Sequence, residues 1–116
     1  MTQFKSPEEI LNKCVEVAKE KKAQNILSLH MAGHSLICDY FLILSCTNTR
    51  QTQTVCDYLE DALEAMGEAP LHIEGYQDGR WILVDTGAVI VHIFIEEERE
   101  YYDLERLWGD AERKEY

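Results

Sequence analysis

Basic residues are scarce in this chain: 11 Lys and Arg stand against 22 Asp and Glu, for a net charge of −11 at neutral pH. Binding to phosphates depends on clustered cations that displace counterions, so this shortage argues against direct contact with nucleic acid and suits a basic protein partner. Long apolar runs are missing as well. The longest, Ala88 to Ile95, is interrupted by His92 and falls far short of the roughly 18 residues that a membrane span needs. The opening stretch, Met1 to Lys13, mixes Lys5, Glu8, Glu9 and Lys13. It has neither the apolar centre of a signal peptide nor the Arg-rich, acid-poor character of a transit peptide, so the expectation is a cytoplasmic protein. Cys14, Cys38, Cys46 and Cys56 contain no Cys-x-x-Cys pair and no zinc-knuckle spacing, which points to reduced, buried thiols. There is no internal repeat and no low-complexity linker. With 46% hydrophobic residues over 116 positions, residues 1–116 are expected to form a single domain around one core.

The elements follow from caps and periodicity. Ser6-Pro7-Glu8-Glu9 combines an N-cap serine, a proline at the first helical position and a glutamate three after the cap, and Ile10, Leu11, Cys14, Val15 and Ala18 then share one face. Asn25 to Met31 reads as a short strand, ended by the turn chemistry of Ala32-Gly33-His34-Ser35. Ile37 to Cys46 is nearly continuous in apolar, branched and aromatic residues, as expected of a central strand covered on both faces. Thr47-Asn48-Thr49 offers cap candidates for a second helix carrying Val55, Leu59, Ala62, Leu63 and Met66, closed by Gly67 at C′. Leu71 to Glu74, Arg80 to Asp85 and Ala88 to Ile95 read as three strands joined in two hairpins. Glu96 to Tyr116 reads as a short helical appendage with a frayed acidic end. The order predicts an α/β domain with a mixed five-stranded sheet and helices packed on it.

Chemistry finds few footholds. Gly33-His34-Ser35 followed by Asp39 invites comparison with nucleotidyltransferases, which hold two metal ions on acids one residue apart on a strand. Here Tyr40 and Phe41 follow Asp39, the second acid is missing, and no Gly-Lys-Ser/Thr loop offers another phosphate cradle. His30, His34, His72 and His92 do not pair at metal-ligand spacing on a clear element, so no metal and no cofactor are expected. No serine or cysteine stands in a nucleophile-elbow pattern, and the chain is read as a non-enzyme. His92, inside an apolar strand, reads as a neutral imidazole held by hydrogen bonds. What stands out is the aromatic load of the C-terminal half: Tyr76, Trp81, Phe94, Tyr101, Tyr102 and Trp108. Phe94 alternates with core residues. Trp81, beside Arg80 at a hairpin mouth, is balanced between core and interface, since Trp and Tyr bury much area for few rotatable bonds. Tyr101 and Tyr102 are adjacent and cannot both face inward, so at least one is expected at the surface.

Several strings in consistent order then resemble one family: Cys38-Asp39-Tyr40-Phe41, Glu74-Gly75, Arg80-Trp81, Val91-His92-Ile93-Phe94, and the long run from Arg99 through Tyr101-Tyr102-Asp103-Leu104-Glu105-Arg106-Leu107-Trp108 to Gly109-Asp110-Ala111. From Ser6 to Ala111 the chain is similar to the ribosomal silencing factor, or Iojap-like, family. The resemblance implies a nucleotidyltransferase-like fold lacking the catalytic acids. It also implies a function: binding the large ribosomal subunit through its fourteenth protein, with little direct rRNA contact, and sterically preventing the small subunit from joining, so that translation is repressed when nutrients are short. It implies a homodimer off the ribosome, and it carries the family's binding tryptophan onto Trp81. Asp85 and Tyr76 are added as supporting contacts from their nearness in sequence, and Tyr101, Tyr102 and Trp108 as possible interface residues. Two other readings stand beside it: a divergent nucleotide-binding protein of nucleotidyltransferase-like fold, and a generic dimeric adaptor for a basic partner.

Overall fold

The structure is a computed structural model that describes residues 5–34 and 37–116; Ser35 of the Gly33-His34-Ser35 turn and the first four residues lie outside the described residues. Helix α1, Pro7–Glu20, begins where the cap chemistry places it: the Ser6 hydroxyl accepts the Glu9 N–H at 3.1 Å, with Pro7 at the first position. Strands β1, Gln24–His30, and β2, Tyr40–Cys46, follow, then helix α2, Thr49–Ala65. Asn48 is the residue that caps α2, its side-chain oxygen accepting the Gln51 N–H at 2.8 Å. At the other end Gly67, at φ +81°, lets the Gly67 and Glu68 N–H groups fold back onto the carbonyls of Glu64 and Leu63, a Schellman closure that a side chain at C′ would strain. Strands β3 (His72–Glu74), β4 (Trp81–Asp85) and β5 (Val89–Ile95) form the two expected antiparallel hairpins.

The sheet runs β3-β4-β5-β2-β1-β6 and is mixed, the β2–β5 pair being parallel and every other pair antiparallel. β2 is thus central, as its apolar run predicts, and alternation divides it between two cores. Leu42 and Leu44 face α1 and α2, together with Ile82, Val84, Val89, Val91 and Ile93. Ile43 faces the other way, with Leu27, Leu29, Ile90 and Phe94.

The expectation of five strands is corrected to six. The stretch read as a frayed acidic end is strand β6, Glu112–Glu115, paired antiparallel to β1 with Leu27 opposite Glu115 and His30 opposite Glu112. All four β6 residues are exposed, so no apolar alternation marks it; it is held by backbone pairing and by Tyr116, whose hydroxyl lies 3.1 Å from the Ser28 hydroxyl and whose N–H donates to Ile26. Charge on a short outer strand also blunts it against pairing with other chains.

Between β5 and β6 the expected helical appendage is two short helices, α3 (Glu96–Tyr102) and α4 (Leu104–Leu107), broken at Asp103 in the left-handed region at φ +47°. A buried arginine ties them down. The Arg99 guanidinium donates to Glu105 Oε1 at 2.7 Å, to the Asn25 carbonyl at 2.6 Å and to the Ser45 hydroxyl at 2.7 Å. Asn25 sits in the register break of β1, at φ +50°, and that bulge re-aims its carbonyl out of the ladder toward the guanidinium. Among the described residues, no helix is long and apolar enough to cross a membrane.

Candidate functional site: the outer face of the sheet

α1 and α2 cover the central strands on one face of the sheet, while α3 and α4 cover the other face only in part. Leu104 and Trp108 pack on it, while Phe41, Trp81 and Leu83 remain half-buried. The open portion belongs to β3, β4 and the adjoining part of β5. Alternation along β4 puts Trp81, Leu83 and Asp85 on this face, and the cross-strand pair Glu74–Leu83 brings Glu74 beside them.

Trp81 is held in place on several sides. Its ring stacks on Phe94 with centroids 4.9 Å apart and meets Tyr102 of α3 at 4.5 Å. Its indole Nε1–H donates to His92 Nδ1 at 3.1 Å. An accepting Nδ1 requires the neutral imidazole with its proton on Nε2. Burial favours that state, lowering the His92 pKa to about 4. The Nε2 itself is buried without a hydrogen-bond partner among the described residues. The sequence-based reading of His92 as a buried neutral histidine is therefore sound, and its partner is the tryptophan of the candidate surface. The only polar atom of the indole is spent inside the protein, so an incoming group meets Trp81 as an apolar, π-rich surface.

The other sequence-predicted residues are distributed as follows. Asp85 shares the face with Trp81 but lies at the opposite end of β4, where its carboxylate accepts the Gly87 N–H at 2.7 Å and shapes the β4–β5 turn. Tyr76 is carried away from Trp81: its hydroxyl donates to Asp57 of α2 at 3.2 Å, on the helical side of the sheet. Tyr101 is 81% exposed and Tyr102 45%, so both adjacent tyrosines reach the surface, Tyr102 while still touching Trp81. Trp108 meets Phe41 edge-on at 6.2 Å and closes the covered part of the face. Leu83, Glu74 and His92 were not singled out by sequence reasoning as neighbours of Trp81. Leu83, two positions after Trp81 on the same strand, was the one legible signal.

Gly75 shapes the rim. It sits at φ +80°, and a Cβ there would run into the backbone carbonyl of Trp81, so the β3–β4 connection can pass this close only without a side chain. Asp39 is tied in through its backbone, its N–H donating to Ala88 and its carbonyl accepting from Met31. Among the described residues, no group of three or more His, Cys, Asp or Glu is placed to hold a metal ion.

All four thiols are buried, as expected, at 7% exposure or less. Burial pushes Cys14 and Cys56 up to about 12 and Cys38 and Cys46 up to about 11. The thiolate is the reactive form, so the native protein is expected to react with a disulfide reagent roughly 100-fold or more slowly than the urea-unfolded chain. Rapid labelling of any one cysteine in the native state would contradict this burial.

Comparisons with known proteins place the chain. Residues 4–116 match the family model described as ribosomal silencing factor during starvation. The chain is 42% identical over 106 residues to a ribosomal silencing factor of Halalkalibacterium halodurans, with 91% of each chain covered. It is 31% identical over 97 residues to the mouse protein named mitochondrial assembly of ribosomal large subunit protein 1, covering 81% of this chain and 42% of that one. Its fold is similar to a crystal structure of a Chromobacterium violaceum protein at a TM-score of 0.88 and 28% identity, covering 90% and 88% of the two chains.

Proposed function

The chain belongs to the family of ribosomal silencing factors, and on that premise we propose that it binds the large ribosomal subunit and sterically keeps the small subunit from joining. The contact is assigned to the outer sheet face around Trp81, and the docking partner to the fourteenth protein of that subunit. The observation that carries this reading is Trp81 itself. A half-buried tryptophan, fixed by His92, Phe94 and Tyr102 on a face that α3 and α4 cover only in part, is a pre-organised anchor of the kind that dominates protein interfaces. Glu74 and Asp85 on the same face, and a net charge of −11, favour a basic protein over bare rRNA. The name of the mouse relative, which refers to assembly of the large subunit, points the same way.

On this reading the protein is not an enzyme and works in the cytoplasm by occupying a surface, and translation falls with occupancy. The fold is taken as a nucleotidyltransferase-like frame without the metal-binding acids, since Tyr40 and Phe41 stand after Asp39 where a second acid is needed. Residues 1–116 act as one domain. Off the ribosome the chain pairs with a second copy, for which the β3 edge is better suited than β6, whose residues are all charged.

Trp81→Ala is expected to weaken binding to purified large subunits by roughly 30-fold or more in a pelleting assay, the scale of an interface hot spot, while circular dichroism stays that of the wild type. Wild-type affinity in this variant would remove Trp81 from the interface.

A further inference from the structure

A cavity of about 260 Å³ opens on the outer face beside Trp81, lined by Glu74, Gly75, Trp81 and Leu83. Its side walls are the indole and the Leu83 side chain. Gly75 forms a wall that must remain bare, because a Cβ there would strike the Trp81 carbonyl. Glu74 supplies the one charge in the lining, on an exposed edge strand of three residues. An apolar trough with a carboxylate at its margin has a defined complement: a long side chain with an aliphatic stem and a cationic head.

We propose that this slot takes a single lysine or arginine side chain of the ribosomal partner, the stem lying between Trp81 and Leu83 and the head paired with Glu74. The inference rests on the reading above that the outer face binds the large subunit, and it names the chemistry the partner presents there. The Trp81 N–H is already committed to His92, so the indole offers the incoming cation no hydrogen-bond donor to repel it, only its π surface. The pairing is specific in a way that overall charge is not. An acid elsewhere on the chain attracts the same partner at long range, but Glu74 alone in this lining meets the cation at contact and becomes desolvated with it.

The test compares binding of purified large subunits by the wild type, Glu74→Gln, Glu74→Lys and Glu64→Gln across a range of salt. Glu64 is exposed on α2, on the far side of the sheet, so its variant loses the same charge without touching the slot. Glu74→Gln is expected to bind about tenfold more weakly with a shallower salt dependence, Glu74→Lys about 100-fold more weakly, and Glu64→Gln within about twofold of the wild type. Because Glu74 is exposed in the free protein, unchanged urea unfolding of both variants is expected and confirms that folding is not being read. Equal affinity and equal salt dependence for Glu74→Gln and Glu64→Gln would overturn the slot while leaving the binding face intact. Failure of the wild type itself to bind large subunits would overturn the face and the slot together.

Discussion

Arg99→Ala is expected to destabilise the protein by about 3–5 kcal/mol, well beyond the usual effect of a surface substitution, because it strands the partner of a buried ion pair. Glu105, with its side chain 17% exposed, loses its ion-pair partner, and the Asn25 carbonyl and Ser45 hydroxyl lose the Arg99 donor together. The deficit is local in origin: α3 and α4 are short, β6 beyond them carries no apolar face, and the guanidinium adds to the packing of Leu104 and Trp108 a buried polar tie from this segment to β1 and β2. Arg99→Met combined with Glu105→Gln keeps the bulk and removes both charges, so it is expected to recover part of the loss. Urea unfolding monitored by circular dichroism gives the comparison. A loss below about 1 kcal/mol for Arg99→Ala would show that the pair is offset by its own desolvation and does not hold the segment. Tyr102 lies on the same segment and packs on Trp81, so the variant is also expected to bind large subunits more weakly than its remaining folded fraction accounts for.

Acid is expected to remove about 3 kcal/mol through His92 alone. The imidazole has a pKa of about 4 in the folded protein because burial opposes its charge, against about 6.5 for an ordinary histidine. A group whose folded pKa is depressed contributes nothing to the pH dependence above 6.5, where both states are neutral. As pH falls from 6.5 toward 4 the unfolded chain takes up a proton that the folded chain refuses, and stability drops; below 4 both states carry the proton and the loss levels off. His92→Phe loses the hydrogen bond from Trp81 and is less stable than the wild type at pH 7, yet it lacks this titration. The stability difference, wild type minus variant, is therefore expected to fall by about 3 kcal/mol between pH 7 and pH 4, more than the roughly 1 kcal/mol of one hydrogen bond, so that its sign reverses. A constant gap across that interval would mean that His92 titrates normally and is not sealed beneath Trp81.

Much of this architecture is written in local patterns. The Ser6 cap, the Gly67 closure and the alternation of β4 and β5 each rest on interactions within a few residues, and the structure places them where periodicity does. β6 is different. Its residues are Glu, Arg, Lys and Glu, so neither face carries an apolar signature, and what makes it a strand is the unpaired edge of β1 more than eighty positions earlier. The same distinction governs the candidate site. Trp81 was legible as a candidate because it is a large aromatic at a hairpin mouth and matches the family's binding tryptophan; Asp85 was named only for its nearness in sequence, and the alternation of β4 then puts it on the same face. Tyr76 is near Trp81 in sequence but turns to Asp57 of α2, since proximity along the chain says nothing of which face a turn residue takes. The acceptor for the indole comes from the neighbouring strand and the ring above it from α3, and only pairing register and helix docking bring those together.

The most direct test of ribosome silencing by this surface is sedimentation of purified large and small ribosomal subunits through a sucrose gradient, at a magnesium concentration that favours joining, with the protein added in excess. Free subunits are expected to persist with the protein travelling on the large one, and Trp81→Ala is expected to restore joining. Subunits that join as usual while the wild-type protein stays at the top of the gradient would contradict the steric block.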